Sequence, residues 1–401
     1  MPHPFIFPVV THTARSNART GIQTVTRGLC AGLEQITASI PLAWNQRRQF
    51  PHGLRQEWSE NLGVREHPPT LDCSLRNPRD WWVLALSKRR HSHTPLHLHP
   101  SYRDELKGAW LLLPELLDGK VLLMVIKYAH RHQLRVAGIF HDAIPLLRPD
   151  LTERTAVTHE SYMRALSLTD LILPVSETSA RHLADYFESE QISPPPIRVC
   201  PLPAEVPGHP RAMTPRQSEG SPINLLCVST LEPRKNHQRL IAGFLAVKDR
   251  NPQIQAHLHL AGDRYTGAPE VEALVKGFAA RENSIHWHMN PSWEDLRHLY
   301  TRCDFTIYPS FLEGFGLPIM ESLWFARPCI CANFGVMQDN ALGGGCYTVD
   351  VTDEVALAAA IERVSLNADL RFQLAAQAIS RPLQTWRDYA ATVLSILSSS
   401  R

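Results

Sequence analysis

The stretch YPSFLEGFGLPIMESLWFARP, residues 308–328, decides the fold of this chain. The apolar run of residues 305–308 predicts a buried strand, and the glycines and proline of residues 314–318 predict a turn. The apolar periodicity of residues 319–326 then predicts a helix. In an open α/β sheet, the carboxyl edge of such a strand faces the ligand crevice.

Two carboxylates and a set of backbone amides belong to this unit. We expect Glu313 at the carboxyl end of the strand and Glu321 one to two turns into the helix, with seven residues between them. The amides of Phe315, Gly316 and Leu317 are expected at the helix N-terminus, where unpaired N–H groups and the helix dipole favour a phosphate. Amides for a phosphate and carboxylates for hydroxyl groups together suit a nucleotide sugar.

The segment EGFGLPIMESLWFARP resembles the Glu-x7-Glu signature of the retaining glycosyltransferases of family four, the glycosyl transferases group one. This resemblance implies the α/β GT-B fold, in which two Rossmann-like domains face each other across a cleft. It extends from about residue 5 to the C-terminus and is most specific over residues 229–353. A capped core helix is the alternative interpretation of the motif taken alone.

Length and composition predict two domains. The chain has 401 residues, 44% of them hydrophobic, and a domain typically takes ~100–200 residues. A proline-rich segment at 194–222 separates them. We predict an acceptor-side domain of residues 1–205 and a nucleotide-sugar-binding domain of residues 222–380. By the resemblance, a helix within residues 381–401 packs back on the first domain.

Charge and known motifs exclude several function classes. The formal charge of +2, with no long basic block interleaved with aromatic residues, gives no reason to expect a nucleic-acid partner. The chain has no GxGxxG fingerprint, which argues against a nicotinamide enzyme, and neither a Walker A loop nor a GxSxG elbow. Because no segment reaches ~20 continuous apolar residues, we expect a soluble or peripheral protein.

Neither the cysteines nor the clustered histidines have the spacing of a standard metal site. The eight cysteines include no Cys-x-x-Cys pair, and five lie in apolar, strand-like surroundings, which predicts reduced core thiols in a cytosolic protein. They are Cys200, Cys227, Cys303, Cys329 and Cys331. The cluster His91, His93, His97 and His99 has a spacing that matches no standard zinc site, so a solvated or acceptor-facing loop is favoured over a metal site.

The rest of the chain alternates predicted strands and helices. The periodicity of residues 41–78 is too poor to place elements there. Strands are predicted at 5–10, 81–86, 109–113, 135–140, 171–175, 223–229, 256–261, 285–288, 305–308 and 329–332. Helices are predicted at 22–35, 120–132, 151–168, 177–187, 237–247, 271–280, 293–300, 352–364, 369–378 and 389–397, and a loop at 333–337.

Two residues of the first domain become candidates through the resemblance. TGIQTVTRGL resembles the family's glycine-bearing first loop, which implies that Gly21 is a loop residue approached by the phosphates of the sugar donor and by the acceptor. GIFHDAIPLL places His141 and Asp142 at the carboxyl end of a strand, and HDAIP resembles the motif whose histidine borders the transferred sugar. The alternatives are a plain loop glycine and a structural histidine.

The second domain opens with a basic pair. TLEPRKNHQRLI puts Arg234 and Lys235 between a strand and a helix that Asn236 is predicted to cap. PRKN resembles the family's diphosphate-binding loop, in which the arginine and the lysine contact the pyrophosphate, a chemistry suited to these cations. Two solvated basic residues are the alternative. Many relatives carry a further arginine where this chain has Ser229, so the charge is expected from Arg234 and Lys235.

By resemblance, the reaction is hexosyl transfer with retained anomeric configuration and without a divalent metal or other cofactor. Arg234, Lys235 and the turn amides are expected to stabilise the leaving diphosphate, a preorganised electrostatic effect. Glu313 is expected to hold hydroxyls of the transferred sugar, and Glu321 those of the ribose.

GDP-mannose is the favoured sugar donor, followed by UDP-sugars. The expected acceptor is a glycan or lipid-linked saccharide of bacterial polysaccharide or lipopolysaccharide synthesis. The expected location is the cytoplasm, and peripheral contact with the inner face of the membrane is compatible with it. A GT-B nucleotide-sugar epimerase and a non-catalytic GT-B binding or scaffold protein are the alternatives.

Overall fold

The computed structural model describes residues 5–16, 20–37, 39–47, 49–54, 56–62, 108–152, 156–216 and 222–400. The predicted strand at 81–86 and the histidines from His91 to His99 lie outside these residues. The chain divides into two compact units. The first takes residues 1–143, 156–202 and 385–401, and the second takes residues 144–155 and 203–384.

The first unit is built on a parallel sheet whose described strands follow the order β1, β4, β5, β6. A short antiparallel hairpin, β2 with β3, lies in the stretch whose elements the sequence left unplaced. The elements are β1 (Ile6–Pro8), α1 (Gly21–Ile36), β2 (Leu42–Asn45), β3 (Phe50–Gly53), α2 (Gln56–Leu62), β4 (Trp110–Leu113), α3 (Gly119–Arg131), β5 (Arg135–Phe140), α4 (Ile144–Leu147, which the contacts place with the second unit), α5 (Ala156–Leu166), β6 (Leu171–Pro174) and α6 (Glu177–Ser189).

The second unit is a parallel sheet of six described strands in the order β9, β8, β7, β10, β11, β12. Its elements are β7 (Ile223–Val228), α7 (His237–Arg250), β8 (Ala256–Ala261), α8 (Pro269–Arg281), β9 (Ile285–His288), α9 (Trp293–Arg302), β10 (Phe305–Tyr308), α10 (Leu317–Trp324), β11 (Cys329–Ala332), α11 (Gly335–Ala341), β12 (Cys346–Val349), α12 (Glu354–Leu366) and α13 (Ala368–Ser380). The first strand, β7, lies beside the fourth, β10, so the strand order reverses between them. This is the doubly wound Rossmann order, and the predicted α/β class is confirmed.

Two local predictions near the motif need correction. Helix α10 begins at Leu317, two residues before the predicted start, because Pro318 is tolerated in a first turn whose N–H groups have no intrahelical partner. Residues 333–337 were predicted as a loop, but α11 begins at Gly335. Its start carries no recognisable signal, since Phe334 at the N-cap makes no side-chain hydrogen bond and a glycine opens the helix.

Most of the described cysteines are buried. Six of the seven described cysteines are buried, including the five predicted to be so, while Cys346 is partly exposed. Cys73 lies outside the described residues. Within the described ranges, no helix combines the length and hydropathy that a membrane span requires.

The last helix, α14 (Trp386–Ser399), packs on α1 within the first unit. Thr385 and Asp388 form a capping box at its start. A Cβ added at Gly28 of α1 would lie 2.2 Å from the ring of Trp386, and one at Gly32 would lie 2.3 Å from the carbonyl oxygen of Trp386. The two glycines therefore allow the close approach of the helices.

We expect Gly28→Ala to destabilise the protein by about 1–3 kcal/mol, the usual cost of forcing an extra carbon into a packed interface. The measurement is the free energy of unfolding from denaturant titration. Gly277→Ala in α8 is the control, because the only atom near its added Cβ is the flexible Arg281 Nη2 at 3.3 Å. A Gly28→Ala variant as stable as the Gly277→Ala variant would contradict the packing described here.

Candidate functional site

The candidate site lies at the carboxyl ends of β7 and β10, where the strand order reverses. Ligands of doubly wound sheets bind at such a switch point. Arg234 and Lys235 lie in a 3-10 turn, Pro233–Lys235, that follows β7, and Glu313 lies in the loop between β10 and α10. The two loops are hydrogen-bonded, since the Phe311 N–H donates to the Arg234 carbonyl oxygen at 2.9 Å.

The structure brings the predicted basic pair onto the first motif glutamate. Lys235 Nζ donates to Glu313 Oε1 at 2.6 Å, and Arg234 Nη1 lies 2.6 Å from Glu313 Oε2. Glu232 Oε2 accepts from Arg234 Nε, also at 2.6 Å. Two cations and two carboxylates thus form one buried or half-buried cluster whose formal charges cancel.

Two hydroxyl groups complete this cluster. Lys235 Nζ donates to the Tyr308 hydroxyl at 2.8 Å, and Ser310 Oγ donates to Glu313 Oε1 at 2.5 Å. Burial alone would raise the pKa of Glu313, but the charges of Arg234 and Lys235 outweigh it and lower that pKa to about 2. Burial and the neighbouring guanidinium lower the pKa of Lys235. Glu313 is therefore ionised throughout the physiological range.

The glycine turn of the motif orients the start of α10. Gly316 is the N-cap residue with φ of 88°, a left-handed conformation that favours glycine. The first N–H groups of a helix lack intrahelical partners, so this end can receive an anion. Asn340 Nδ2 of α11 donates to the Phe315 carbonyl oxygen at 2.5 Å. The helix that the sequence did not predict therefore holds the turn in place.

The second motif glutamate has a different environment. Glu321 is buried in α10, and the Tyr300 hydroxyl donates to its Oε2 at 2.9 Å. The Tyr300 ring stacks on Phe325 with centroids 5.0 Å apart. Burial raises the pKa of Glu321 to about 7, and the bond from Tyr300 only partly offsets it. The two glutamates of the motif thus differ in charge state near neutral pH.

Ser229, which stands where many relatives carry an arginine, adds no positive charge to the site. Ser229 Oγ is hydrogen-bonded to His237 Nε2 at 3.0 Å. Burial, with a smaller contribution from the charge of Lys235, lowers the pKa of His237 to about 3, so this imidazole is neutral. Asn236 occupies the predicted N-cap position of α7, but it is left-handed with φ of 61°. Its Nδ2 donates to the Val351 carbonyl oxygen at 2.9 Å instead of capping the helix.

Two candidate residues, His141 and Gly21, belong to the first unit. His141 follows β5 and is buried, and its Nε2–H donates to the Pro114 carbonyl oxygen at 2.8 Å. Burial lowers the pKa of His141, which leaves a neutral imidazole with Nδ1 as an acceptor. Gly21 was predicted as a loop residue, but it is the exposed first residue of α1. The helix starts there because the Thr20 N–H is bonded by the Gln23 side chain in a capping box.

Four contributors to the site were missed by the sequence-based reasoning. Glu232, Tyr308 and Ser310 belong to the two quoted motifs, yet only the pairing of their loops reveals what they contact. Tyr300 comes from α9 and lies outside the quoted motifs. Among the described residues, no group of three or more histidine, cysteine, aspartate or glutamate side chains could hold a metal ion. Metal independence stays a prediction.

The sequence matches one protein-family model and is similar to several known proteins. Residues 212–381 match the family model described as glycosyl transferases group 1. Over 236 residues the chain is 27% identical to O-antigen chain mannosyltransferase B of Escherichia coli, covering 57% of this chain and 61% of that protein. Over 231 residues it is 26% identical to the serotype-specific mannosyltransferase WbdA of Escherichia coli, covering 52% of this chain and 28% of that protein. The matches thus span less than two thirds of these relatives.

Solved structures show the fold. Sucrose-phosphate synthase from Thermosynechococcus elongatus superposes with a TM-score of 0.68 at 16% identity, covering 98% of both chains. Anabaena HepE, solved in complex with UDP and glucose, superposes with a TM-score of 0.64 at 14% identity, covering 99% of this chain and 100% of that one. The predicted GT-B fold is confirmed.

We expect the stability of the protein to depend on pH through Glu321. Its pKa is about 7 in the folded state against an ordinary value of 4.5, so between these values the folded state binds more protons than the unfolded state. Stability therefore falls as pH rises through this window. Glutamine cannot ionise and can still accept from Tyr300. Glu321→Gln should be more stable than the wild type at about pH 8, by up to about 3 kcal/mol.

The measurement is thermal unfolding of both proteins at about pH 5 and at about pH 8. The advantage of Glu321→Gln should shrink at the lower pH, where Glu321 is protonated in the folded wild type. Glu270→Gln, an exposed change in α8, controls for the loss of one surface carboxylate. The same difference in melting temperature at both pH values would contradict the raised pKa.

Proposed function

Because residues 212–381 match the family model of the glycosyl transferases group 1, we propose that this chain transfers a hexose from a nucleotide-diphosphate sugar to a saccharide acceptor with retained anomeric configuration. The observation that carries the proposal is the pair Arg234 and Lys235, held beside the N-terminus of α10 at the switch point of the sheet. A guanidinium, an ammonium and the amides of a helix start are together suited to a diphosphate.

The diphosphate is the leaving group of the proposed reaction. As the glycosidic bond to the β-phosphate breaks, negative charge grows on that phosphate and the sugar becomes oxocarbenium-like. Arg234, Lys235 and the amides near Phe315, Gly316 and Leu317 stabilise the growing charge. Cations fixed in a buried site are effective because they need little reorganisation as the charge develops. In the proposed mechanism, the leaving phosphate accepts the proton of the acceptor hydroxyl, which attacks from the same face.

The two motif glutamates bind hydroxyl groups in this proposal. Glu313 lies next to the cations that receive the diphosphate, so it is placed to accept from hydroxyls of the transferred sugar. Glu321 binds the ribose. Tyr300 engages its Oε2, and we assign the ribose hydroxyls to Oε1. From the first unit, the resemblance contributes His141 at the border of the sugar and Gly21 near phosphates and acceptor.

The relatives favour mannose. Both Escherichia coli proteins described above are named mannosyltransferases, and one of them acts on an O-antigen chain by its name. We therefore propose GDP-mannose as the sugar donor, ahead of UDP-sugars, and a glycan or lipid-linked saccharide as the acceptor. The reaction is proposed to need no metal ion. It is assigned to the cytoplasm, with peripheral contact at the inner face of the membrane.

A screen of nucleotide sugars tests the proposal. Release of free nucleotide diphosphate is measured for GDP-mannose and for a panel of UDP-sugars, each with and without mannose oligosaccharides as acceptors. A transferase gives release that rises with acceptor. Conversion of the nucleotide sugar without any acceptor would indicate an epimerase instead, and binding without turnover would indicate a scaffold protein.

Lys235→Ala should lower turnover about a hundredfold or more, the scale of losing one preorganised charge contact in catalysis. Steady-state transfer by the purified variant, with circular dichroism to verify folding, is the measurement. Lys276→Ala is the matched control, because Lys276 lies on the exposed side of α8, where it pairs with Glu272 one turn away and lies over the Trp287 ring. Near-normal transfer by Lys235→Ala would remove the basis of the proposal.

Chelation tests the role assigned to the cations. If Arg234, Lys235 and the helix amides replace a divalent ion, transfer should be unchanged after EDTA treatment and dialysis. The rate is compared before treatment, after it, and after adding Mg²⁺ or Mn²⁺. Loss of activity that either ion restores would mean that the enzyme uses a metal.

A further inference from the structure

Both cations of the candidate site already have the same counter-ion. Each oxygen of Glu313 contacts one of them, with Oε1 2.6 Å from Lys235 Nζ and Oε2 2.6 Å from Arg234 Nη1. Ser310 fixes the carboxylate in this position by donating to Oε1 at 2.5 Å. A diphosphate would need the same N–H donors, so the carboxylate and the diphosphate compete for them.

Arg234 and Lys235 also donate hydrogen bonds to protein oxygens other than those of Glu313. Arg234 also uses Nε on Glu232 at 2.6 Å and Nη1 on the Leu312 carbonyl oxygen at 3.0 Å. Lys235 uses one further N–H on Tyr308 at 2.8 Å. A diphosphate that takes up the N–H groups now directed at Glu313 displaces some or all of its ion pairs. A carboxylate that stays buried without a partner is costly, and repulsion from the phosphates adds to this cost.

We propose that Glu313 is an internal counter-ion that makes the site prefer the sugar-bearing nucleotide over the bare nucleoside diphosphate. This inference rests on the proposed function. When the intact sugar donor binds, the released carboxylate accepts from sugar hydroxyls and remains satisfied. When only the nucleoside diphosphate binds, no hydroxyls replace the lost ion pairs. The affinity for the nucleoside diphosphate is therefore lower. Glu313 thereby also favours release of the nucleotide product.

The test compares ligands with and without the sugar. Titration calorimetry gives dissociation constants for inorganic pyrophosphate, for GDP and GDP-mannose, and for UDP and UDP-glucose. These are measured for the wild type and for Glu313→Gln, which keeps the shape of the side chain and removes its charge. Glu313→Gln should bind pyrophosphate and the bare nucleoside diphosphate about tenfold more tightly, as expected for removing one buried competing charge.

The ratio of the two nucleotide affinities is the specific readout. For whichever pair the wild type binds, the preference for the sugar nucleotide over the bare nucleotide should fall about tenfold in Glu313→Gln, since only the sugar nucleotide had avoided the penalty. A merely structural glutamate would change both affinities together and leave the ratio unaltered.

Two further variants control the result. Glu232→Gln also removes a carboxylate from Arg234, but the Glu232 carboxylate is paired with Arg234 Nε and has no assigned sugar contact. It should leave the ratio unchanged. Ser310→Ala removes a hydrogen bond that holds Glu313 on the cations without altering any charge. It should tighten pyrophosphate binding by about twofold to fivefold, the size of one modest hydrogen bond. If Glu313→Gln does not fold, Ser310→Ala tests the counter-ion role in its place.

The outcomes separate this inference from the proposed function. A wild type that binds none of the pyrophosphate or nucleotide probes would overturn the proposed function. A wild type that binds them while Glu313→Gln binds pyrophosphate no more tightly would overturn the counter-ion role alone. An unchanged ratio in Glu313→Gln would do the same.

Discussion

The ion pairs of Glu313 with Arg234 and Lys235 join the loops that follow β7 and β10. They depend on the strand order, because only the reversal between these two strands brings residues 78 positions apart into contact. The Phe311 N–H donates to the Arg234 carbonyl oxygen, which fixes the loops to each other. The helix start at Gly316 is then carried to the same edge of the sheet. The site is thus a consequence of the doubly wound order.

One residue type serves two purposes within a single strand-turn-helix unit. Glu313 lies between two cations, which overcome the effect of its burial and hold its pKa at about 2. Glu321 is equally buried, but its side-chain partner among the described residues is a neutral hydroxyl, and its pKa rises to about 7. Pairs of carboxyl groups whose surroundings push their pKa values apart are typical of sites with divided roles. In the proposed reaction, the ionised glutamate serves the sugar and the other serves the ribose.

The sequence predicted the bounds of the buried strands accurately, but it did not predict which residues contact one another. Five strands, β5, β8, β9, β10 and β11, match their predicted bounds residue for residue, because short apolar runs between turn residues leave little ambiguity. Helix α11 was missed because its start has neither a capping residue nor an apolar stripe. Asn236 is left-handed, and its side chain donates to the Val351 carbonyl oxygen, 115 positions away in the chain. Local patterns carry no information on such a partner.

The same limit applied to the site. The motifs identified Arg234, Lys235 and Glu313 individually, but their mutual pairing follows from the register of β7 against β10, which no motif encodes. The bond of Tyr300 to Glu321 likewise requires the last turn of α9 to lie near α10. Gly21 was misplaced for the opposite reason, since a local signal, the Thr20 to Gln23 capping box, was overlooked.

The central claim is that this chain transfers a hexose from a nucleotide sugar with retention. The most direct measurement is nuclear magnetic resonance of the saccharide formed from GDP-mannose and a mannose oligosaccharide acceptor. We expect one added hexose whose anomeric configuration is the same as in the sugar nucleotide. An added hexose of the opposite configuration, or no added hexose with any nucleotide sugar and acceptor tried, would contradict it.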